Sequence, residues 1–102
     1  MSRRAPANLK LSAVTDKPIV LSRHAQHVVD ERKLAEEWIA EAIATPAFTE
    51  PDPTQAGAIR AFRRIAAFGN RVLRVVYYDA GTHYRVITVF FDRQASRRRP
   101  LP

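Results

Sequence analysis

The chain contains no cysteine and only three glycines among its 102 residues. Missing thiols exclude disulfides, thiolate zinc sites and a cysteine nucleophile. Neither G-x-G-x-x-G, a Walker-type phosphate loop, a G-x-S-x-G elbow nor H-E-x-x-H occurs. No apolar run approaches the roughly 18 residues of a membrane span, and the first residues lack a signal-peptide core. The expectation is a cytoplasmic protein with no membrane partner. Acidic residues are scarce too: ten Asp and Glu stand against 17 Lys and Arg, a net charge of +7. That balance points to a polyanion or an acidic protein as partner. The hydrophobic fraction of 46% argues against disorder through the middle of the chain. Its length allows one small domain with a single modest core.

What is present is concentrated in Arg71–Phe91, where two β-branched and aromatic runs flank a turn segment, residues 79–83. This reads as an antiparallel hairpin. Period-two alternation puts Val72, Arg74, Val76 and Tyr78 on one face. Pairing Tyr78 with Tyr84 then sets Val76 against Val86 and Arg74 against Thr88. Upstream, residues 1–17 read as a loosely held basic arm, and Pro18–Leu21 as a first strand. Ser22 is a candidate N-cap. Apolar residues at offsets of three and four from Ala25 to Ile43 predict helix, with residues 31–33 either a joint between two helices or the polar surface of one. Thr45-Pro46 ends it. Residues 46–57 read as loop, and Ile59–Phe68 as a strand leading through a tight Gly69-Asn70 turn. The domain spans 18–93 and a basic tail 94–102. The fold class is α+β: an N-terminal strand and one or two helices packed on an antiparallel sheet of about four strands.

Among residues able to carry chemistry, His24 stands at the strand–helix junction, where an imidazole could serve as general acid or base or bind phosphate. Arg32, eight residues on, returns to nearly the same helix side. His24 and His27 have no third ligand at diagnostic spacing, so no metal and no cofactor are expected. A two-residue turn at Gly69-Asn70 pairs Ile65 with Arg74 and sets Arg63 diagonal to Arg74; a slip of one residue exchanges Arg63 for Arg64. Two guanidinium groups on one face suit phosphate oxygens. Tyr78 and Tyr84 are either platforms for a base or a cross-strand aromatic pair. Asp79 and His83 read as turn residues.

Leu21-Ser22-Arg23-His24-Ala25, Glu31-Arg32, Glu37-Trp38-Ile39 and Thr45-Pro46, followed by Leu73–Tyr77 and Val86–Val89, resemble a widespread family of small bacterial domains of unknown function. That family is similar in layout to BrnT and RelE/ParE-type toxins, with their barnase-like architecture. The resemblance implies a toxin-like RNA-cleaving or RNA-binding domain neutralised by an acidic antitoxin protein, and the lack of a carboxylate cluster for two metals makes the expected chemistry that of a metal-independent endoribonuclease. Its polar signature falls on His24, Arg32, Arg74 and Thr88: Arg74 on the phosphate, assisted by Arg32 and Arg63, His24 in proton transfer, Thr88 orienting the phosphate. Relatives often carry a further arginine four residues after the histidine, where this chain has Val28. The alternatives are a non-catalytic nucleic-acid-binding module, using Arg3, Arg4 and residues 97–99, and a protein-interaction domain of the same fold.

Overall fold

Ser22 sets where the first helix begins. In the computed structural model, which describes residues 9–10 and 15–95, its Oγ accepts a hydrogen bond from the Ala25 amide at 3.1 Å. An N-cap of this kind satisfies one of the orphan donors of the first turn. Helix α1, Arg23–Arg32, buries Ala25 and Val29. It stops at Lys33, whose φ of 55° is left-handed and whose N–H returns to the Val29 carbonyl. The pattern is therefore two helices, with the joint at residues 33–35 in place of 31–33, and α2 runs separately over Glu36–Ala44, burying Ile39, Ala40, Ala42 and Ile43. Glu36 and Glu37 lie in its first turn, where carboxylates favour the helix dipole. Thr45 closes it before Pro46, with both its amide and its hydroxyl on the Glu41 carbonyl.

The strands are β1 (Leu9–Lys10), β2 (Ile19–Leu21), β3 (Phe48–Pro51), β4 (Ile59–Ile65), β5 (Arg71–Asp79) and β6 (Tyr84–Phe91). They form one sheet in the order β1-β2-β6-β5-β4-β3. The fold is α+β, with two helices on the sheet and more strands than the expected four. The β2–β6 pair is parallel and the rest antiparallel. A parallel neighbour needs a long crossover, and here both helices and three strands intervene. Among the described residues no helix is long and apolar enough to cross a membrane.

Part of the segment expected as loop is β3. Its Phe48 ring stacks on Phe62 with centroids 4.4 Å apart. Arg60 reaches Glu50 at 3.2 Å and Asp52 at 3.1 Å. Asp52 is held well below the usual carboxylate range, chiefly by the Thr54 amide and then by the Thr54 hydroxyl, Arg60 and the Gln55 amide, against the opposing effect of burial. Pro51 lies in a strand at the sheet's outer edge, where a missing N–H is tolerated.

Two registers differ from the sequence reading, and both matter for the site. Between β4 and β5 the chain makes a 3₁₀ turn, Ala66–Phe68, before Gly69 and Asn70, both at positive φ. Ile65 consequently pairs with Arg71, Phe62 with Arg74 and Arg64 with Val72. The connection is longer than two residues by an odd number, so the faces exchange: Arg64 shares Arg74's face and Arg63 does not. Arg63 instead donates to the Thr45 carbonyl at 2.7 Å, at the C-terminal end of α2, where cations are favoured. Between β5 and β6 the ladder sets Asp79 against Tyr84, Tyr78 against Arg85, Val76 against Thr88 and Arg74 against Phe90. Ile87 is an extra, bulged residue. Tyr84 thereby turns to the helix-covered face, edge-on to Tyr77 at 5.6 Å, while Tyr78 lies on the other. The proposed Tyr78–Tyr84 pair does not form.

The main core lies between helices and sheet, with Leu21, Ile39, Leu73, Val75, Val86 and Val89 almost wholly buried. A smaller cluster of Phe62, Val72 and Ala95, flanked by Phe48, occupies the opposite face. Of the expected basic tail, residues 94 and 95 are described, and Ala95 is fully buried. The arginines at 97–99, and Arg3 and Arg4, fall outside the described residues.

Candidate nucleic-acid interface

Strand β2 is short, and its last pairing sets Leu21 against Val86. At Ser22 the chain turns into α1, with the Ser22 amide on the Val86 carbonyl at 2.8 Å and its hydroxyl on the bulged Ile87 carbonyl at 3.2 Å. Beyond that point β6 has α1 as its neighbour in place of a strand. His24, Val28 and Arg32 recur every fourth residue and so form one stripe along α1. That stripe, with Glu31 and Leu34, faces Thr88–Phe91 across a cleft of about 220 Å³. His24, Arg32 and Thr88, separated widely in sequence, are brought to one place. His24 and Arg32 are exposed, and Thr88 is half-buried.

A second cleft, of about 390 Å³, opens at the adjoining end of the sheet. It takes Arg64 from β4, Asn70, Arg71 and Val72 from the turn and start of β5, and Asp92 and Arg93 from the end of β6. Arg32, Phe90 and Phe91 line both clefts, which makes the two neighbours. Four guanidinium groups and one carboxylate border this second cleft.

Arg74 lies between the rings of Phe90 and Phe62, at 4.2 and 5.9 Å from their centroids. Its Nη1 is 3.5 Å from Asp92, and the two side chains are 17% and 9% exposed. Arg74 and Thr88 share a face on paired strands, as expected, but lie diagonal to one another, since Phe90 takes the position opposite Arg74. The arginine borders neither cleft directly; it reaches them through Phe90 and Asp92.

The other residues singled out from the sequence lie elsewhere. Arg63 caps α2. The Tyr78 hydroxyl donates to Gln55 at 3.3 Å, beside the loop that carries Gly57. The Tyr84 hydroxyl donates to Asp16 at 2.7 Å, which, with burial and nearby negative charge, pushes its pKa up to about 12. His27 is exposed and 3.4 Å from Glu31. Among the described residues no three His, Asp or Glu side chains are grouped closely enough to hold a metal ion. Asp79 accepts from the Gly81 amide at 3.0 Å and from Lys17 at 2.6 Å, which is turn chemistry.

Sequence reasoning missed Glu31, Asn70, Arg71, Phe90 and Arg93 as site residues, and it named Arg64 only as what a slipped register would put in place of Arg63. One signal was available for Phe90: consecutive aromatics on a strand must face opposite sides, so the Phe90-Phe91 doublet obliges one ring to leave the helix-covered core.

A two-helix, mixed-sheet α+β domain with a basic cleft at the end of the sheet is thus the class that fold and site define. The family model described as a domain of unknown function, DUF4258, matches residues 21–91, from the end of β2 to the end of β6. The chain belongs to that family, which carries an architecture and no assigned activity. Comparison with curated proteins and comparison with solved structures each gave no match.

Proposed function

We propose that the chain is a metal-independent endoribonuclease, and that it acts as the toxin of a toxin–antitoxin pair. The observation carrying this reading is the convergence of His24, Arg32 and Thr88 on one cleft. RNA supplies its own nucleophile: the ribose 2′-oxygen bonds to the adjacent phosphorus, and the bond from phosphorus to the 5′-oxygen breaks. The products are a 2′,3′-cyclic phosphate and a free 5′-hydroxyl. The reaction needs a base for the 2′ proton, an acid for the departing 5′-oxygen and positive charge on the phosphate oxygens. Glu31 lines the same cleft and takes the 2′ proton. His24 delivers the proton to the leaving oxygen. Arg32 neutralises the phosphate charge and the Thr88 hydroxyl orients it. Arg74 acts at one remove, by holding Phe90 and Asp92 in place.

The neutralising partner in this reading is an acidic antitoxin protein, attracted to the same arginine-lined rim. A non-catalytic RNA-binding module is the second reading, favoured by the four arginines of the larger cleft, which suit binding more than proton transfer. Incubation of the chain with single-stranded RNA in EDTA, with and without translating ribosomes, separates the two. The expected outcome is cleavage in EDTA with 2′,3′-cyclic phosphate ends. Folded protein that binds RNA and never cuts it leaves the binding module as the function.

A further inference from the structure

We propose that Arg64, Arg71 and Arg93, with Phe90 as a stacking platform, form a subsite for the nucleotide next to the scissile phosphate of a single-stranded RNA. The inference rests on the ribonuclease reading for the word scissile; the binding of a single strand stands apart from it.

Arg64 and Arg71 each have a fixed contact at the rim. Arg64 donates to the Asn70 carbonyl at 2.6 Å. The Arg71 guanidinium lies 5.4 Å from the centroid of Phe68. Arg93 follows Asp92, whose amide is fixed to the Val72 carbonyl at 2.8 Å. Asp92 is the one carboxylate bordering the cleft, and its oxygens are engaged by the Gln94 amide at 2.9 Å and by Arg74 at 3.5 Å. The remaining charge is a cluster of guanidinium groups, which repel one another until an anion enters. Their planar forks match phosphate oxygens in bidentate geometry.

Charge alone would suit an acidic peptide equally well. The aromatic residues favour a nucleic acid with unpaired bases. Phe68 and Phe90, each 36% exposed, are the exposed large hydrophobic residues among those described, and both lie beside these arginines. Phe90 has one side engaged by Arg74, leaving its exposed part for a base. Bases of a single strand stack on such rings, whereas in a duplex they are already stacked and paired. Because Arg32 and Phe90 belong to both clefts, a strand with one phosphate at Arg32 and His24 continues across Phe90 to the second group of arginines.

The test uses the full chain and a fluorescent six-nucleotide oligouridylate carrying 2′-O-methyl groups, which can bind and cannot be cut. Arg64→Ala/Arg71→Ala should raise Kd at least tenfold. It should also lower the slope of log affinity against log salt by about 1.4, since each phosphate contact on a single strand contributes about 0.7. Phe90→Leu, which keeps apolar cover over Arg74, should weaken binding roughly tenfold and leave that slope unchanged. Arg85→Ala, an exposed arginine away from both clefts, should change the slope less than the double variant. Arg71→Glu alone reads the same site if the double change unfolds the chain. Wild-type affinity and slope in the arginine variants overturn the subsite, as does tighter binding of an RNA duplex or of polyglutamate in competition. Cleavage at unchanged KM in Arg64→Ala/Arg71→Ala removes the subsite and leaves the nuclease. Salt-sensitive binding of the predicted kind in a protein that never cuts keeps the binding groove and removes the nuclease.

Discussion

Arg74 and His24 show how differently two polar residues of one small domain can be placed. His24 projects from the first turn of α1 and is exposed, so replacing it removes chemistry without removing core. His24→Ala should lower the rate of RNA cleavage roughly a hundredfold, the usual worth of a positioned acid or base, with an unchanged melting temperature. Single-turnover cleavage beside thermal unfolding checks both halves. Arg74 is the reverse case. It is largely buried between two rings and close to a buried carboxylate, and removing one partner of such a pair leaves the other charge poorly compensated. The pair retains some exposure, so Arg74→Ala should destabilise the fold by about 1–3 kcal/mol, below the full cost of breaking a wholly buried pair. Chemical denaturation measures this. A folded Arg74→Ala protein of native stability that has lost all cleavage would instead make Arg74 a direct phosphate ligand.

At the scale of elements, position in the site is governed by two small irregularities. The bulge at Ile87 lets Val86 face the helices while Thr88 faces the other way, and strict alternation would have given both the same face. Ser22 fastens this bulge to the start of α1, so the residue that caps the helix also places Thr88 relative to His24. The joint after α1 is less well adapted. Lys33 occupies the left-handed region, which costs an L-residue other than glycine about 1–2 kcal/mol. Lys33→Gly relieves that strain, and the greater freedom of glycine in the unfolded chain offsets part of the gain. The net effect should be about 0.5–1 kcal/mol of added stability, seen as a melting temperature a few degrees higher with cleavage unchanged.

Across the whole molecule, the segment before β2 is tied to the distant β5–β6 hairpin. Tyr84 donates to Asp16 at 2.7 Å, and Lys17 donates to Asp79 at 2.6 Å. The Tyr84 pKa is raised from 10.0 to about 12 by its hydrogen bond to Asp16, by burial and by nearby negative charge. Folding therefore favours the protonated phenol. Its contribution to stability is fully present below about pH 10 and is lost as pH rises toward 12, where the folded state too gives up the proton. Tyr84→Phe should be less stable than the parent at pH 8, and its stability should fall less steeply between pH 10 and 12. Tyr77, raised chiefly by burial and then by Asp79, leaves a residual alkaline loss in both proteins. Urea unfolding across that range tests the sign: a steeper alkaline loss in the variant contradicts the linkage.

Local physical chemistry made much of the fold legible in the sequence alone. The Ser22 cap, the apolar stripe from Ala25 to Ile43, the stop at Thr45-Pro46 and the β-branched runs of β5 and β6 each depend on neighbours within a few positions, and each appears where its pattern indicated. So did the stripe carrying His24 and Arg32, because helical periodicity needs no tertiary information. What the sequence could not determine were parities. Whether Arg63 or Arg64 joins Arg74's face depends on whether the β4–β5 connection departs from two residues by an odd or even number. Whether Tyr84 meets Tyr78 or Tyr77 depends on the turn and on the ladder that surrounds the bulge. Strand β3 was hidden for a similar reason: it is held by Phe48 on Phe62 and by Glu50 and Asp52 at Arg60, pairings that exist only once β4 is in place. The groove of Arg32, Arg64, Arg71 and Arg93 is the clearest product of tertiary structure, since its four arginines come from one helix and three separate strands or strand ends. A strand's two faces differ by one residue, so a one-residue change of register moves an arginine between the helix-covered side and the opposite face, and only the assembled sheet decides between them.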